Sequence, residues 1–357
     1  MRTINNRILG LDLFRAIAII LVVHSHGKFL LKDFGFEFPT ILNVDGVELF
    51  FVLSGFLIGT ILIKLLNNNK LNSSKQLFHF WKRRWFRTLP NYYLFLILNL
   101  SFVSWEVIDG NMENFNLSFL FFFHNFSHGF FGFYWESWSL SVEEYFYIFL
   151  PVILFLFRKT FSNKKTILFS IILLILLPLA YRVSISSLKV DTFWWDVEFR
   201  KTVLTRLDAI MYGVLMAFIN IYHNNFCKRY ASLMLIVGLL LLIIQSQMNY
   251  HPNSFYLKTF YFSLQSFSVM LLLPKATQIL SLGNIWIDKF IVFISNISYS
   301  MYLVNLLIAQ IIMKQVDVTI YKTNFFVYMM YWILSISISY LIFKYFEYPI
   351  TQLRERK

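Results

Sequence analysis

With 357 residues, 58% of them hydrophobic and only 14% charged, the chain is too apolar for a soluble domain, where roughly 45–50% and 25% are usual; its composition is that of a polytopic membrane protein. A net charge of +13 does not indicate nucleic-acid binding, because the lysines and arginines punctuate the gaps between apolar runs instead of clustering on one folded face. The single cysteine, Cys227, excludes an intrachain disulfide framework.

Apolar stretches of spanning length are expected at about residues 8 to 30, 44 to 66, 86 to 105, 138 to 157, 166 to 185, 202 to 222, 230 to 248, 255 to 274, 290 to 313 and 325 to 346. They predict an all-α fold of about ten transmembrane helices. The run 115 to 126 is too short to cross as a helix and suits a re-entrant or interfacial piece. With the first residue in the cytoplasm, 21 of the 32 Lys and Arg fall in inside segments, 10 outside, and Arg15 within the membrane. That bias predicts two cytoplasmic termini. Residues 1–357 read as one membrane-embedded domain with no appended soluble domain.

The first apolar stretch carries two residues that it should reject, Arg15 and His26. An ionised side chain near a bilayer centre costs about 2.5 to 3.5 kcal/mol on insertion scales, so such residues mark pathways and sites. Eleven helical positions return to within roughly 20° of the start, which puts Arg15 and His26 on one face about 16 Å apart along the axis. His24 points the other way. His26 is therefore the candidate base, although the same residue would also suit a polar contact between helices.

The second stretch holds Glu48 near its outer end and then Ser54, Gly55 and Gly59. The two glycines have GxxxG spacing for close helix contact. Ser54 as a nucleophile is the sharper alternative, but no adjacent base is apparent in the sequence. At the cytoplasmic entrance of the third stretch, Arg84 and Arg87 are three residues apart on one face and followed by Pro90. Paired guanidiniums suit the phosphates of a nucleotide-like ligand, and equally suit anchoring of a positive-inside loop. Glu143 begins the fourth spanning stretch on the outer side, level with His26 and Glu48, so either carboxylate is expected to hold the imidazole in one tautomer. Asp208, beside Arg206, is a further polar candidate that either joins the site or pairs with Arg206 or Arg200. Asn305, in the ninth stretch, reads as a buried polar group joining helices.

Taken together, Leu11-Asp-Leu-Phe-Arg-Ala with His26, Phe50-Phe-Val-Leu-Ser-Gly-Phe-Leu-Ile58, Arg84-x-x-Arg87 with Pro90, and Trp138-Ser-Leu-x-x-Glu143-x-x-Phe-Tyr147 form an ordered set. With Arg206-Leu-Asp-Ala and Tyr345-Phe-Glu-Tyr-Pro349, the chain resembles acyltransferase family 3, integral membrane O-acyltransferases of bacterial envelopes. One position departs: the family usually reads Tyr-Leu-x-His where this chain has Tyr302-Leu-Val-Asn305. The resemblance implies a ten-helix fold in the bacterial cytoplasmic membrane that passes an acyl group, usually acetyl, from cytoplasmic acyl-CoA to a hydroxyl of an extracytoplasmic glycan or lipid-linked saccharide. It implies donor phosphates on Arg84 and Arg87, His26 as base or transient acyl acceptor, Glu143 orienting it, and Arg15 between the two ends. No permanently bound cofactor or metal is expected, and a separate extracytoplasmic partner would supply any second catalytic domain. The competing reading is a transporter or flippase that uses Arg15, His26, Glu48 and Glu143 as a path, although no internally repeated halves are found.

Overall fold

A computed structural model describes residues 7–34, 45–248, 250–315 and 321–353. Among these residues every regular element is helical. The long helices are α1 (Leu9–Gly27), α2 (Gly46–Asn67), α3 (Ser74–Ser104), α4 (Ser137–Phe157), α5 (Asn163–Ser184), α6 (Val203–Tyr222), α7 (Asn224–Ser246), α8 (Phe260–Met270), α9 (Ile285–Gln315) and α10 (Tyr321–Ile342). Eight helices among the described residues are long and apolar enough to cross a membrane, so the chain is an all-α polytopic membrane protein.

The two remaining expected spans take other forms. Helix α3 is 31 residues long, starts from a capping box of Ser73 and Gln76, and runs unbroken through Pro90. Its first half carries Lys75, Lys82, Arg83, Arg84 and Arg87, and its second half is made less apolar by Pro90, Asn91, Tyr92, Tyr93 and Asn99. The stretch expected at 255 to 274 is not one helix. It consists of α8 between two helical turns, Phe255–Lys258 and Leu273–Ala276. It still runs the length of the bundle: Lys258 Nζ donates to the Ser186 carbonyl at 3.1 Å at one end, and at the other the Ile279 carbonyl accepts from Gly10 N at 2.9 Å. The run 115 to 126 forms only short 3-10 turns, Leu117–Phe121 and Phe123–Asn125, with Phe119 and Asn125 buried.

Both chain termini lie outside the described residues. The described residues nearest them meet α9 about one turn apart. Arg7 donates to Asn296 at 2.9 Å, and Glu347 accepts from Ser300 at 2.5 Å and from Asn91 at 3.0 Å.

The glycines of α2 explain the centre of the bundle. A methyl group at Gly55 would land on the Ile210 carbonyl, and one at Gly213 on the Val52 carbonyl, so α2 and α6 approach backbone to backbone. Where these helices meet, ionic groups are sealed in. Glu48, buried to 1% exposure, accepts from Arg206 and Ser266. Asp208 and Arg182 are both fully buried and joined by two bonds at 2.7 and 3.0 Å, with Ser263 on each of them at 2.7 Å. Asp208 therefore pairs with Arg182 of α5, not with Arg206 or Arg200 as the spacing suggested, because α5 packs against the first turns of α6. Removing one partner of such a pair strands the other charge, at a cost of about 3–5 kcal/mol. Asp208→Ala is thus expected to lose heat-stable, monodisperse protein in detergent, read by size-exclusion chromatography after heating; an unchanged melting profile would contradict this.

Candidate active site

Helices α1, α2, α3, α4 and α9 surround a partly open cavity of about 100 Å³. Arg15, Ser54, Arg84, Arg87, Glu143 and Tyr147 all line it, with Thr88, Tyr299 and Tyr302. Arg15 is braced by Ser295 Oγ at 3.3 Å and by Asp12 at 3.8 Å, and Asp12 is itself tied to Arg7 at 2.7 Å and to Ser295 at 2.6 Å. Arg87 has no ion-pair partner among the described residues. The level of α3 against α4 is set by Trp81 Nε1 donating to the Tyr147 carbonyl at 2.8 Å and Thr88 Oγ1 donating to Glu144 at 2.6 Å. Three guanidiniums thus face one chamber, where a low dielectric strengthens their pull on an anion.

Glu143 is the carboxylate of this chamber. Ser54 Oγ donates to its Oε1 at 2.8 Å and Tyr147 OH donates to its Oε2 at 3.0 Å. The expected pairing of Glu143 with His26 is therefore corrected. Helix α4 starts at Ser137, so Glu143 already lies six residues, about 9 Å, inside the helix, too deep to share a level with the outer end of α1. Glu48 does not reach His26 either, being sealed against Arg206. Neither Glu48 nor Asp208 lines the cavity.

His26 is oriented by a different residue. Its Nδ1 lies 2.6 Å from Asn305 Oδ1 on α9. Asn305 Nδ2 donates to the carbonyls of Met301 at 2.8 Å and Tyr302 at 2.7 Å. With both amide hydrogens committed, the amide cannot flip, and Oδ1 can only accept. His26 Nδ1 must then carry the proton, which leaves Nε2 with a lone pair for base work. Arg15 and His26 both face α9, whereas His24 Nδ1 turns to Tyr328 OH at 2.9 Å on α10.

His26 does not line the cavity, and Tyr302 connects the two regions. It lines the chamber one turn below Asn305, and its hydroxyl meets Ser139 at 2.7 Å and the Glu136 carbonyl at 3.0 Å. Around the His26 end lies a charged ring. Arg200 binds Asp45, the N-cap of α2, and Asp196 at 2.6 Å, with its guanidinium 5.3 Å from the Trp138 ring. Burial works against ionisation of Asp45, but Arg200 outweighs it and holds the carboxyl below its ordinary range. Glu136, buried and with Oε1 unpartnered, is pushed up to about 8 by desolvation.

Two of these contributions escaped the sequence. Tyr147 sits one turn after Glu143, an i, i+4 pair visible in the motif. Asn305 belongs to a polar stripe with Ser295, Ser298 and Tyr302 at helical spacing on α9, which was a signal for a lined face. That Asn305 meets His26 had no local sign.

The fold and the site define a polytopic helical membrane protein with a cationic, carboxylate-bearing chamber inside its bundle and a tautomer-locked histidine at one end of α1. The chain matches the acyltransferase domain family over residues 8–344 and belongs to that family. The peptidoglycan O-acetyltransferase OatA of Listeria monocytogenes is 33% identical over 178 residues, 44% of this chain and 26% of the relative. A Staphylococcus aureus protein provisionally named as an O-acetyltransferase is 29% identical over 328 residues, 82% of this chain and 49% of the relative. These alignments span about half the length of the curated relatives or less. No solved structure matches the chain.

Proposed function

We propose that the chain transfers an acyl group, acetyl in the first instance, from a cytoplasmic acyl-CoA to a hydroxyl of an extracytoplasmic glycan at the bacterial cytoplasmic membrane. The observation that carries this reading is the convergence of Arg15, Arg84, Arg87 and Glu143 on one intramembrane chamber in a chain of the acyltransferase domain family. The Listeria relative's name makes peptidoglycan the leading acceptor, and lipid-linked saccharides are the related alternative. A separate extracytoplasmic protein is a fitting partner where the glycan must be presented.

In this reading the donor is a substrate and no resident cofactor is needed. Arg84 and Arg87, which enter from the basic end of α3, hold its phosphates, because planar guanidiniums match phosphate oxygens. Arg15, fixed by Asp12 and Ser295, balances negative charge on the carbonyl oxygen as the thioester is attacked. His26 Nε2, at the end of α1 beyond the chamber, is the final acceptor of the hydroxyl's proton, which reaches it past Tyr302, with Nδ1–H held by Asn305. Membership in the family favours transfer over the transporter reading. Titration of the purified full chain with acetyl-CoA tests it: saturable binding is expected, and its absence would return the transporter reading to first place.

A further inference from the structure

We infer that the acyl group passes through a covalent ester on Ser54, with Glu143 as the base that activates its hydroxyl. This rests on the acyl-transfer reading above and specifies its chemical route.

Hydroxyls in the middle of helices usually turn back onto the carbonyl four residues earlier. Here Thr60, Ser170, Ser266 and Ser268 do so, onto Phe56, Thr166, Phe262 and Leu264. Ser54 turns instead across to α4 and donates to Glu143 Oε1 at 2.8 Å. Other serines of the bundle also meet carboxylates, Ser263 at Asp208, Ser266 at Glu48, Ser295 at Asp12 and Ser300 at Glu347; the first three carboxylates are committed to arginines, and none of the four lines the chamber. Among the serines of the described residues, only Ser54 meets a carboxylate with both groups facing the space that Arg15, Arg84 and Arg87 line. Tyr147 fixes the second carboxylate oxygen at 3.0 Å. A nucleophile, a base within hydrogen-bond reach and a third group orienting the base are the parts of an activated hydroxyl.

The steps balance. Ser54 Oγ attacks the thioester carbon, its proton moves to Glu143 Oε1, the arginines offset the charge on the carbonyl oxygen, and the C–S bond breaks to release the thiolate, which is protonated by water. The acceptor oxygen then attacks the same carbon, its proton is relayed outward past Tyr302 to His26, which lies beyond the chamber, and Ser54 Oγ leaves with the proton held by Glu143. Ser54 lies eight residues beyond Gly46, about 12 Å down α2. An ester there holds the acyl group part-way across the bundle after the donor has departed.

The experiment uses the full chain in nanodiscs with isotopically labelled acetyl-CoA and no acceptor, followed by acid quench, digestion and mass spectrometry. A labelled ester is expected on the peptide containing Ser54, formed about tenfold or more slowly in Glu143→Gln. Ser54→Ala should lose the label and lower transfer about 10²-fold or more, with acetyl-CoA affinity nearly unchanged; Thr60→Ala should behave as the parent chain. If Ser54→Ala does not fold, Ser54→Cys is read instead and should trap a hydroxylamine-labile thioester. Near-normal transfer by folded Ser54→Ala, label on another residue, or an unlabelled Ser54→Cys would overturn the inference. Failure to bind acetyl-CoA would bring down the acyl-transfer reading itself; acylated glycan with Ser54 unlabelled and Ser54→Ala active would remove only the ester.

Discussion

His26→Ala is expected to lower glycan acylation by about 10²- to 10⁴-fold, the usual contribution of a general base, while membrane insertion and acyl-CoA binding stay largely intact. His26 lies outside the cavity lined by Arg84 and Arg87, so its loss should act on transfer and not on the donor. His24→Ala should be mild, because its ring faces Tyr328 and not α9. Asn305 supplies a graded companion. Asn305→Leu removes the acceptor that keeps the proton on Nδ1 and should reduce transfer, whereas Asn305→Asp keeps an acceptor there and should restore part of it. Each variant would be checked for monodispersity and assayed for donor binding and acylation separately. Near-normal transfer by folded His26→Ala, or equal losses at His24 and His26, would contradict the assignment. Loss of donor binding in His26→Ala would make it a binding residue.

Replacing Arg84 and Arg87 together with Gln is expected to weaken acyl-CoA binding by roughly tenfold or more per arginine, since hydrogen bonds to charged groups contribute about 1.5–3 kcal/mol each. The control is Lys164→Gln with Lys165→Gln. Those lysines occupy the first turn of α5 and do not line the chamber. They should matter for topology alone. Equal effects of the two double variants would mean that Arg84 and Arg87 are anchors of the inner loop and nothing more. The effect should also weaken with added salt only modestly, because charges inside the bundle are screened less than those at a surface.

Apolar run lengths and helix periodicity sufficed for the helical class and for the face of α1 that carries Arg15 and His26. The residues of the chamber were likewise visible as Arg15, Ser54, Arg84, Arg87 and Glu143, since each breaks an apolar or motif-rich stretch. What failed was pairing. Glu143 reads as level with His26 only if it is taken as the start of its span; in the structure it lies six residues inside α4 and accepts from Ser54. Spacing pairs Asp208 with arginines near it in sequence, yet its partner is Arg182, on the preceding helix. Asn305 looked like a joint between helices and is one, but the residue it joins is His26. Such contacts depend on which helices neighbour one another and at what register, and neither is contained in local spacing. The broken run around α8 was missed for a related reason. Its apolar composition satisfies a spanning window, while the break at Thr259, whose hydroxyl bonds the Phe255 carbonyl at 2.6 Å, is a local backbone choice.

Placement of acyl groups on an extracytoplasmic glycan is tested most directly by the O-acyl content of envelope glycans, measured by mass spectrometry in cells with and without the gene. Loss of O-acyl groups is expected on deletion, with recovery by the parent chain and none by His26→Ala. Unchanged O-acylation in the deletion strain, or full recovery by a folded His26→Ala chain, would contradict it.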